Sequence, residues 1–300
     1  MTIRHIQMGK RIYERYGPIQ LAISMIFFID SILLGSRFKT QYHPRLREYR
    51  YRWKYGSSSP IPENLVYINP DEVDYLVVPR QHIRADITKY GTSIIGGDWD
   101  LRYSDNELHY LGTWEGFQEE ILINFLNYQF YTSAYERYKN GIAWEDTQIY
   151  EYFLQKTKER RNDKRYGTIE KVNERLKELD ELYKSINDNG YRLQVEIERA
   201  DEVPFQNTSD EFQTEPWQNE VMVSIGRDGE IFFNEGRHRF VAAKLAAIDE
   251  IPVRILVRHK GWQAIRQRVA NANSITDLDP DLQNVIGHPD LVDLIPNMGD

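Results

Sequence analysis

A short apolar stretch that ends at a glycine and three consecutive basic residues constrains the fold of this chain more than any other feature. It runs from Ile231 to Ala247 and reads IFFNEGRHRFVAAKLAA. The apolar part predicts a strand, and the part after the glycine predicts a helix that begins at Arg237. Gly236 permits a tight turn, and Ala242 and Ala243 let the helix lie close to a sheet. The segment therefore predicts a strand, a turn and a helix packed on that strand's sheet.

The sequence around this segment predicts an α+β fold. Thr168 has the chemistry of an N-cap for a helix that stops at residues 189–190, Asn-Gly. Apolar and polar residues alternate over 193–198, which predicts a half-buried strand. The Asp-Gly pair at 228–229 predicts a hairpin turn, and IPVRILVR at 251–258 predicts a last strand. This order speaks against a Rossmann fold, and the chain has no P-loop lysine motif and no G-x-G-x-x-G.

Composition and charge narrow the classes of protein. The chain has 300 residues, a formal net charge of -8 and no cysteine. The lack of cysteine excludes disulfides, thiol nucleophiles and cysteine-based metal sites. The sequence also has no evident secretory signal pattern. Together with the lack of cysteine, this predicts a cytoplasmic protein. Broad nucleic-acid binding relies on a cationic surface, so the negative net charge disfavours a nucleic-acid partner. The charge does not exclude a local basic patch.

One apolar segment, residues 19–35, is the candidate for a membrane contact. Its sequence, IQLAISMIFFIDSILLG, contains Asp30 and is short of the roughly 20 apolar residues that a spanning helix needs. We therefore predict a buried helix and no membrane contact. The basic, tyrosine-rich residues 37–54 that follow are predicted to be a solvated surface, with contact to an anionic surface as the alternative.

The basic residues at the predicted helix start have the chemistry of an anion site. The first N–H groups of a helix lack intrahelical partners, and the helix dipole places partial positive charge there. Gly236 lets a ligand approach the backbone, and Arg237, His238 and Arg239 add donors at the same place. The alternative is that an arginine pairs with an acidic neighbour and His238 is a half-buried packed side chain. For the cluster as a whole we predict binding of phosphate or another anion.

Three pieces of the sequence resemble the ParB/sulfiredoxin superfamily. That family carries a G-x-R/H-R element between a strand and a helix, followed by alanines and a closing IPV strand. The corresponding residues here are 236–239, 242–243 and 251–253. The family's helix end L-x-x-S-I-x-x-x-G corresponds to Leu182 through Gly190, and its opening strand and turn resemble INPDEVDY at 68–75.

The resemblance implies a small mixed sheet with helices. It covers residues 168–260 well and 64–75 loosely, and the long interval between them is interpreted as an insertion. Apolar residues at spacings of three and four between 114 and 153 predict that this insertion is helical, and the sequence GSSSP predicts a linker before the core. The predicted organisation begins with an N-terminal helical extension at 1–55 and a core at 60–260. The core contains the helical insertion at 76–167, and a C-terminal helical tail follows at 261–300.

The resemblance also implies a nucleotide site. In the family the glycine–basic element holds nucleotide phosphates, both in ParB-like CTP switches and in sulfiredoxin and the free-serine kinases. Carried over, Gly236, Arg237, His238 and Arg239 would hold the phosphates of ATP, ADP or CTP. Sulfiredoxin chemistry is excluded because the chain has no cysteine. A partition protein would need a helix-turn-helix module after this domain, so the resemblance is greater to the free-serine kinases.

A kinase needs a carboxylate for the acceptor hydroxyl and acidic groups for Mg²⁺. Asp98 and Asp100, in GGDWD, would point to one side of an extended segment and are predicted to be catalytic and metal-binding. The alternative is a glycine turn with two solvated aspartates. Glu235 is the third catalytic candidate, or else a partner of Arg237 or Arg239.

Two further pairs complete the candidate site. Trp144 and Asp146, in GIAWEDT, are predicted to line a substrate pocket, with capping of the next helix as the alternative for Asp146. His259 and Trp262, after the last strand, are weaker candidates for contact with the nucleotide base.

Two functions follow from these residues. The first is a nucleotide-dependent phosphotransferase that acts on a small hydroxyl-bearing metabolite such as an amino acid or a sugar. The alternative is a non-catalytic, ParB-like nucleotide-gated module that contacts DNA or a protein partner. A nuclease is a third option, which the acidic composition disfavours.

Overall fold

The computed structural model describes eight ranges of the chain and six single residues near its N-terminus. They are residues 10, 13, 18, 22, 25 and 49, and ranges 51–61, 64–78, 93–97, 99–100, 109–111, 120–159, 166–199 and 219–295. The strands are β1 Leu65–Ile68, β2 Tyr75–Val78, β3 Ser93–Ile95, β4 His109–Leu111, β5 Glu120–Asn124, β6 Val221–Ile225, β7 Ile231–Glu235 and β8 Ile251–His259. The helices are α1 Gln129–Asn140, α2 Gln148–Glu159, α3 Ile169–Asn189, α4 Gln194–Arg199, α5 Arg237–Leu245, α6 Lys260–Ala270 and α7 Pro280–Gln283. The predicted α+β class is confirmed.

The eight described strands form one mixed sheet in the order β1-β8-β6-β7-β2-β5-β4, with β3 also paired to β8. Strands β3 and β6 run parallel to β8, so their carboxyl ends lie at one edge of the sheet together with the β6–β7 turn. Strand β7 runs antiparallel to β6. Its carboxyl end, where α5 begins, therefore lies at the opposite edge.

The central strands are buried on both faces, so a hydrophobic cluster lies on each side of the sheet. Alternate side chains point to opposite faces of a strand. Val221, Val223 and Phe233 belong to the large cluster that includes residues of α1, α3 and α5. Met222 and Phe232 belong to a smaller cluster that also contains Trp99.

Several local signals behave as predicted. Thr168 caps α3 by accepting a hydrogen bond from the backbone N–H of Lys171 at 3.3 Å. Gly190 ends α3 as the Asn-Gly pair predicts, and a second glycine, Gly141, ends α1 in the left-handed conformation with φ 72°. The Asp-Gly pair forms the β6–β7 turn, which is closed by the N–H of Gly226 donating to the carbonyl of Glu230 at 2.8 Å.

The predicted strand at 193–198 is wrong, because the structure has the helix α4 there. Two donors at the start of the helix are satisfied by carboxylates. The N–H of Leu193 donates to Glu196 at 3.0 Å, and the N–H of Gln194 donates to Glu220 at 2.6 Å. Because Glu220 is remote in sequence, its contribution to this helix start was not visible in the alternating pattern.

The insertion at 76–167 is not only helical: β3 is the short strand that the sequence Ser93-Ile94-Ile95 predicts, whereas β4 and β5 are contrary to expectation. Strands β3, β4 and β5 fall within it, and β5 pairs antiparallel with β2 over residues 121–124 and 75–78. The three-and-four spacing was therefore misleading before Gln129, where α1 begins. Backbone pairing with a remote strand outweighed the local period.

Two segments differ from prediction in their exposure. The expected linker contains a short 3-10 turn at Gly56–Ser58, and Ser58 is fully buried. Its carbonyl accepts a hydrogen bond from the side chain of Gln263 on α6 at 2.9 Å. Ala22 and Met25, the described residues in the apolar segment 19–35, are helical and exposed, so the prediction of burial is wrong at these two positions.

The chain after α6 is held to the sheet by a buried ion-pair cluster. The carboxylate of Asp290 accepts hydrogen bonds from Arg258 and from the indole N–H of Trp262, the latter at 2.9 Å. A second guanidinium, that of Arg266, lies 3.1 Å from the same carboxylate. Burial raises the pKa of Asp290, but the two arginines outweigh burial and hold it below its usual value.

His288 in this cluster is expected to make the free energy of unfolding depend on pH. Its Nε2 donates to the carbonyl of Gly229, and its Nδ1 accepts from the N–H of Asp290. Burial lowers the pKa of His288 below its ordinary 6.5, aided by Arg258 and Arg266 and opposed by Asp290. Below pH 6.5 the unfolded chain takes up a proton that the folded chain resists, so stability should fall as the pH decreases.

We expect the free energy of unfolding of the wild type to lose up to about 1 kcal/mol per pH unit below that value through His288. Urea unfolding of the wild type and of His288→Gln at several pH values between neutral and mildly acidic measures this effect. The variant should show a shallower pH dependence, whatever its absolute stability. An equal slope in both proteins would assign the dependence to other groups.

Candidate functional site

The turn between β7 and α5 has the geometry that the sequence predicted. Gly236 has φ 85°, a conformation that favours glycine, and a Cβ at this position would lie 3.1 Å from the Cα of Val221. Its carbonyl accepts the first helical hydrogen bond, from the N–H of Phe240 at 3.0 Å. The three basic residues Arg237, His238 and Arg239 therefore occupy the first turn of α5.

Two guanidinium groups converge on the imidazole of His238. Nη2 of Arg175 lies 3.3 Å from Nδ1, and Nε of Arg237 lies 3.4 Å from Nε2. An arginine only donates hydrogen bonds, and a neutral imidazole accepts at one nitrogen only. His238 can therefore accept from one of these two arginines but not both, and Nη1 of Arg175 also pairs with the carboxylate of Glu178 at 2.7 Å.

The aromatic ring of Phe130 packs against both His238 and Arg237. The ring of Phe130 packs edge-on against His238, with 5.0 Å between ring centroids, and Cζ of Arg237 lies 5.8 Å from the centroid of Phe130. Burial opposes the charge of Arg237, but interactions with Tyr128, Tyr166 and Glu235 raise its pKa above the usual value. Arg237 therefore remains charged.

The guanidinium of Arg239 makes its hydrogen bonds to other groups of the protein. Its Nη1 donates to the carboxylate of Glu220 at 3.0 Å and to the hydroxyl of Tyr191 at 3.1 Å, and its Nη2 donates to the carbonyl of Asn219. Burial raises the pKa of Glu220, against the opposing charge of Arg239. These contacts join α5 to the start of β6 and to the segment before α4.

Asp100, in GGDWD, does not join this site as predicted. Asp98 lies outside the described residues. The carboxylate of Asp100 accepts a hydrogen bond from the backbone N–H of Arg227 at 2.6 Å and further bonds from its guanidinium at 2.8–3.1 Å. Burial raises the pKa of Asp100, but the bonds from Arg227 outweigh it and hold the pKa below 3.8.

Asp100 lies at the wrong edge of the sheet to serve a ligand at Gly236. Its partner Arg227 belongs to the β6–β7 turn, whereas Gly236 follows the far end of β7. Five residues of extended strand span about 17 Å. The predicted metal-binding and catalytic roles of Asp100 at the phosphate site are therefore not supported by its position.

Glu235 is the predicted carboxylate that does lie at the turn. It is the last residue of β7, pairs with Met222 of β6 and is half-buried. It interacts electrostatically with Arg237, as one of the two sequence alternatives proposed.

Of the two predicted pocket residues, Trp144 is buried and Asp146 is exposed. Trp144 is buried, its indole N–H donates to Asp180 at 2.9 Å, and its ring meets Tyr138 edge-on at 5.6 Å. These contacts make it a core residue. Asp146 is exposed at the end of a 3-10 turn, just before the C-cap Thr147.

His259 and Trp262 lie at the edge with Asp100. Nε2 of His259 donates to the carbonyl of Gly97 at 2.9 Å, and the same carbonyl accepts from Nη2 of Arg227 at 2.9 Å. Trp262 is fully buried. Neither residue is placed to contact a nucleotide base near Gly236.

Sequence reasoning missed the residues that complete the α5 site. Arg175 lies on α3, 63 residues before His238, and Tyr191 and Glu220 flank a segment that includes α4. A signal did exist for Arg175, because it adjoins Leu176 on the apolar stripe of α3 yet is charged. Nothing local, however, indicated which residue it meets.

Among the described residues, no group of three or more histidines, aspartates or glutamates could hold a metal ion. No helix within the described ranges is long and apolar enough to cross a membrane. Comparison with family models, curated proteins and solved structures finds no match to the chain.

Proposed function

We propose that this protein binds a nucleotide and holds its phosphates at the first turn of α5. The observation that carries the proposal is the convergence of Arg175 and Arg237 on His238 at 3.3 and 3.4 Å. An anion beside these side chains would form charge-assisted hydrogen bonds with Arg237, which lies in the first turn of the helix. The helix dipole of α5 and the αL turn at Gly236 favour negative charge at the same place.

The phosphate ligands in this proposal differ in part from the sequence prediction. Gly236, Arg237 and His238 keep that role, and Arg175 joins them. Arg239 acts indirectly, because its bonds to Glu220 and Tyr191 fix the position of α5.

A ParB/sulfiredoxin-like core is proposed along with this site. It is supported by the order strand, Gly236, basic helix and closing strand, which the structure has as β7, α5 and β8. The closing strand β8 lies beside β6 in the centre of the sheet. The mixed sheet is larger than this family's small sheet, because β4 and β5 extend it beyond β2.

The non-catalytic, nucleotide-gated module is the form of this proposal that the geometry supports best. Asp100, the described aspartate of the expected catalytic pair, is bound to Arg227 at the opposite edge of the sheet. A phosphotransferase is the second candidate, and the position of Glu235 next to Gly236 favours it. In that case Mg²⁺ would arrive with the nucleotide, and Glu235 would orient the acceptor hydroxyl.

Saturating ATP, ADP or CTP with Mg²⁺ should raise the melting temperature of the wild-type protein. At about 100 times the dissociation constant, binding adds about 2.7 kcal/mol, which is about 4 °C for a chain of this length. Arg237→Ala should abolish the shift because it removes a cation from the start of α5. Differential scanning fluorimetry measures both effects.

The matched control is Arg268→Ala, which removes an exposed arginine on α6 that pairs with Asp279. This variant should keep the full shift. A wild type that no nucleotide stabilises, or an Arg237→Ala protein with an unchanged shift, would contradict the phosphate site. Consumption of nucleotide in the presence of amino acids or sugars, and its loss in Glu235→Gln, would favour the phosphotransferase over the binding module.

A further inference from the structure

A short helix near the N-terminus of the described chain presents aromatic side chains to solvent. Residue 49 and residues 51–55 are helical. Tyr49 and Trp53 are 73% and 88% exposed, and their spacing of four places them on one face of the helix. Two large aromatic side chains exposed together on one helix face are typical of an interaction surface.

The opposite face of this helix is fixed to the protein. Tyr51 and Tyr55 are half-buried, and their ring centroids lie 5.8 Å apart. The hydroxyl of Tyr51 accepts a hydrogen bond from the backbone N–H of Ile94 in β3 at 3.3 Å. Because residues two apart lie on nearly opposite sides of a helix, this anchoring directs Tyr49 and Trp53 outward.

Cations flank the exposed aromatic residues. Arg52 and Lys54 are exposed on either side of Trp53. Residues 37–54 contain seven lysines and arginines and one glutamate, although the whole chain has a net charge of -8. Tyr49, Arg52, Trp53 and Lys54 therefore form a local aromatic–basic face on an otherwise acidic protein.

We propose that the aromatic–basic face binds the surface of an anionic lipid bilayer. Tryptophan and tyrosine favour the headgroup region, where lysine and arginine meet anionic lipids. The apolar sequence 19–35, upstream of the face, favours a lipid partner over a nucleic acid, and its described residues Ala22 and Met25 are exposed. The acidic remainder of the chain also opposes a long polyanion that would extend beyond the face.

Sedimentation of the full chain with lipid vesicles tests this proposal. The protein should bind vesicles of phosphatidylcholine that contain about 30% phosphatidylserine and bind weakly to phosphatidylcholine alone. Raising the salt from about 0.1 M to about 0.5 M should weaken the binding. Arg52→Gln with Lys54→Gln should lower the partition coefficient about 5-fold for each charge removed, and Trp53→Ala should lower it about tenfold.

The matched control replaces Lys177 and Lys184, two exposed lysines on α3, with glutamine. This variant removes the same charge from another surface and should bind vesicles like the wild type. All of the substituted side chains are exposed, so thermal unfolding should be unchanged. Equal binding to neutral and anionic vesicles, or full binding by the Arg52/Lys54 variant, would overturn the proposal. Binding of a single-stranded RNA oligonucleotide without vesicle binding would also overturn it and assign the face to nucleic acid.

Discussion

Asp290→Asn is expected to lower the free energy of unfolding by about 3–5 kcal/mol, the largest effect that we predict for a single substitution. The side chain of Asp290 is 2% exposed, and those of its partners Arg258 and Arg266 are 5% and 1% exposed. The substitution keeps the shape of the side chain but leaves two buried guanidinium groups facing a neutral amide. Urea unfolding followed by circular dichroism measures the loss.

Substitutions of two other carboxylates provide comparisons for this loss of stability. Asp293 also pairs with Arg266, but its side chain is 38% exposed, so Asp293→Asn should cost much less. Glu181 forms an exposed pair with Lys177, and Glu181→Gln should change stability by less than about 1 kcal/mol. A loss for Asp290→Asn no larger than that for Glu181→Gln would show that the segment after α6 contributes little to the stability of the sheet.

Asp100→Asn should lower the free energy of unfolding by about 2–4 kcal/mol and leave nucleotide binding at α5 unchanged. Its carboxylate, 2% exposed, accepts hydrogen bonds from both the backbone and the guanidinium of Arg227. Removing the charge weakens the link between residues 99–100 and the β6–β7 turn. Chemical denaturation measures the stability, and nucleotide-dependent thermal shift measures the binding.

A double-mutant cycle with Arg227→Met isolates the pair. The coupling energy between positions 100 and 227 should be about 1–3 kcal/mol, within the range for residues in direct contact. The opposite pattern, unchanged stability with loss of nucleotide turnover, would restore Asp100 to the catalytic role that the sequence suggested. Asp100→Asn thus separates a structural carboxylate from a catalytic one.

Local chemistry explains why some elements could be predicted and others could not. The αL turn at Gly236 and the cap at Thr168 depend on residues within four positions in the chain, so their sequence signals are complete. Helix α4 depends on Glu220, which accepts from Gln194 across 26 positions. No window of sequence around α4 contains that carboxylate.

The same distinction applies to the candidate site. The sequence located the anion-binding turn because Gly236 and the basic residues are contiguous. It did not distinguish Arg237 from Arg239, which lie two positions apart and have the same side chain. Their different partners, an imidazole for Arg237 and the carboxylate of Glu220 for Arg239, come from other elements of the fold.

The sequence by itself determined the α+β class, the hairpin at Asp228-Gly229 and the helix that begins with three basic residues, because turn chemistry and hydrophobic period are local properties. Only the tertiary structure decided that β7 separates Asp100 from Gly236 and that Arg175 approaches His238. The physical reason is that strand pairing and helix packing bring together residues from remote parts of the chain. Ion pairs and hydrogen bonds at these contacts then assign each charged side chain its partner.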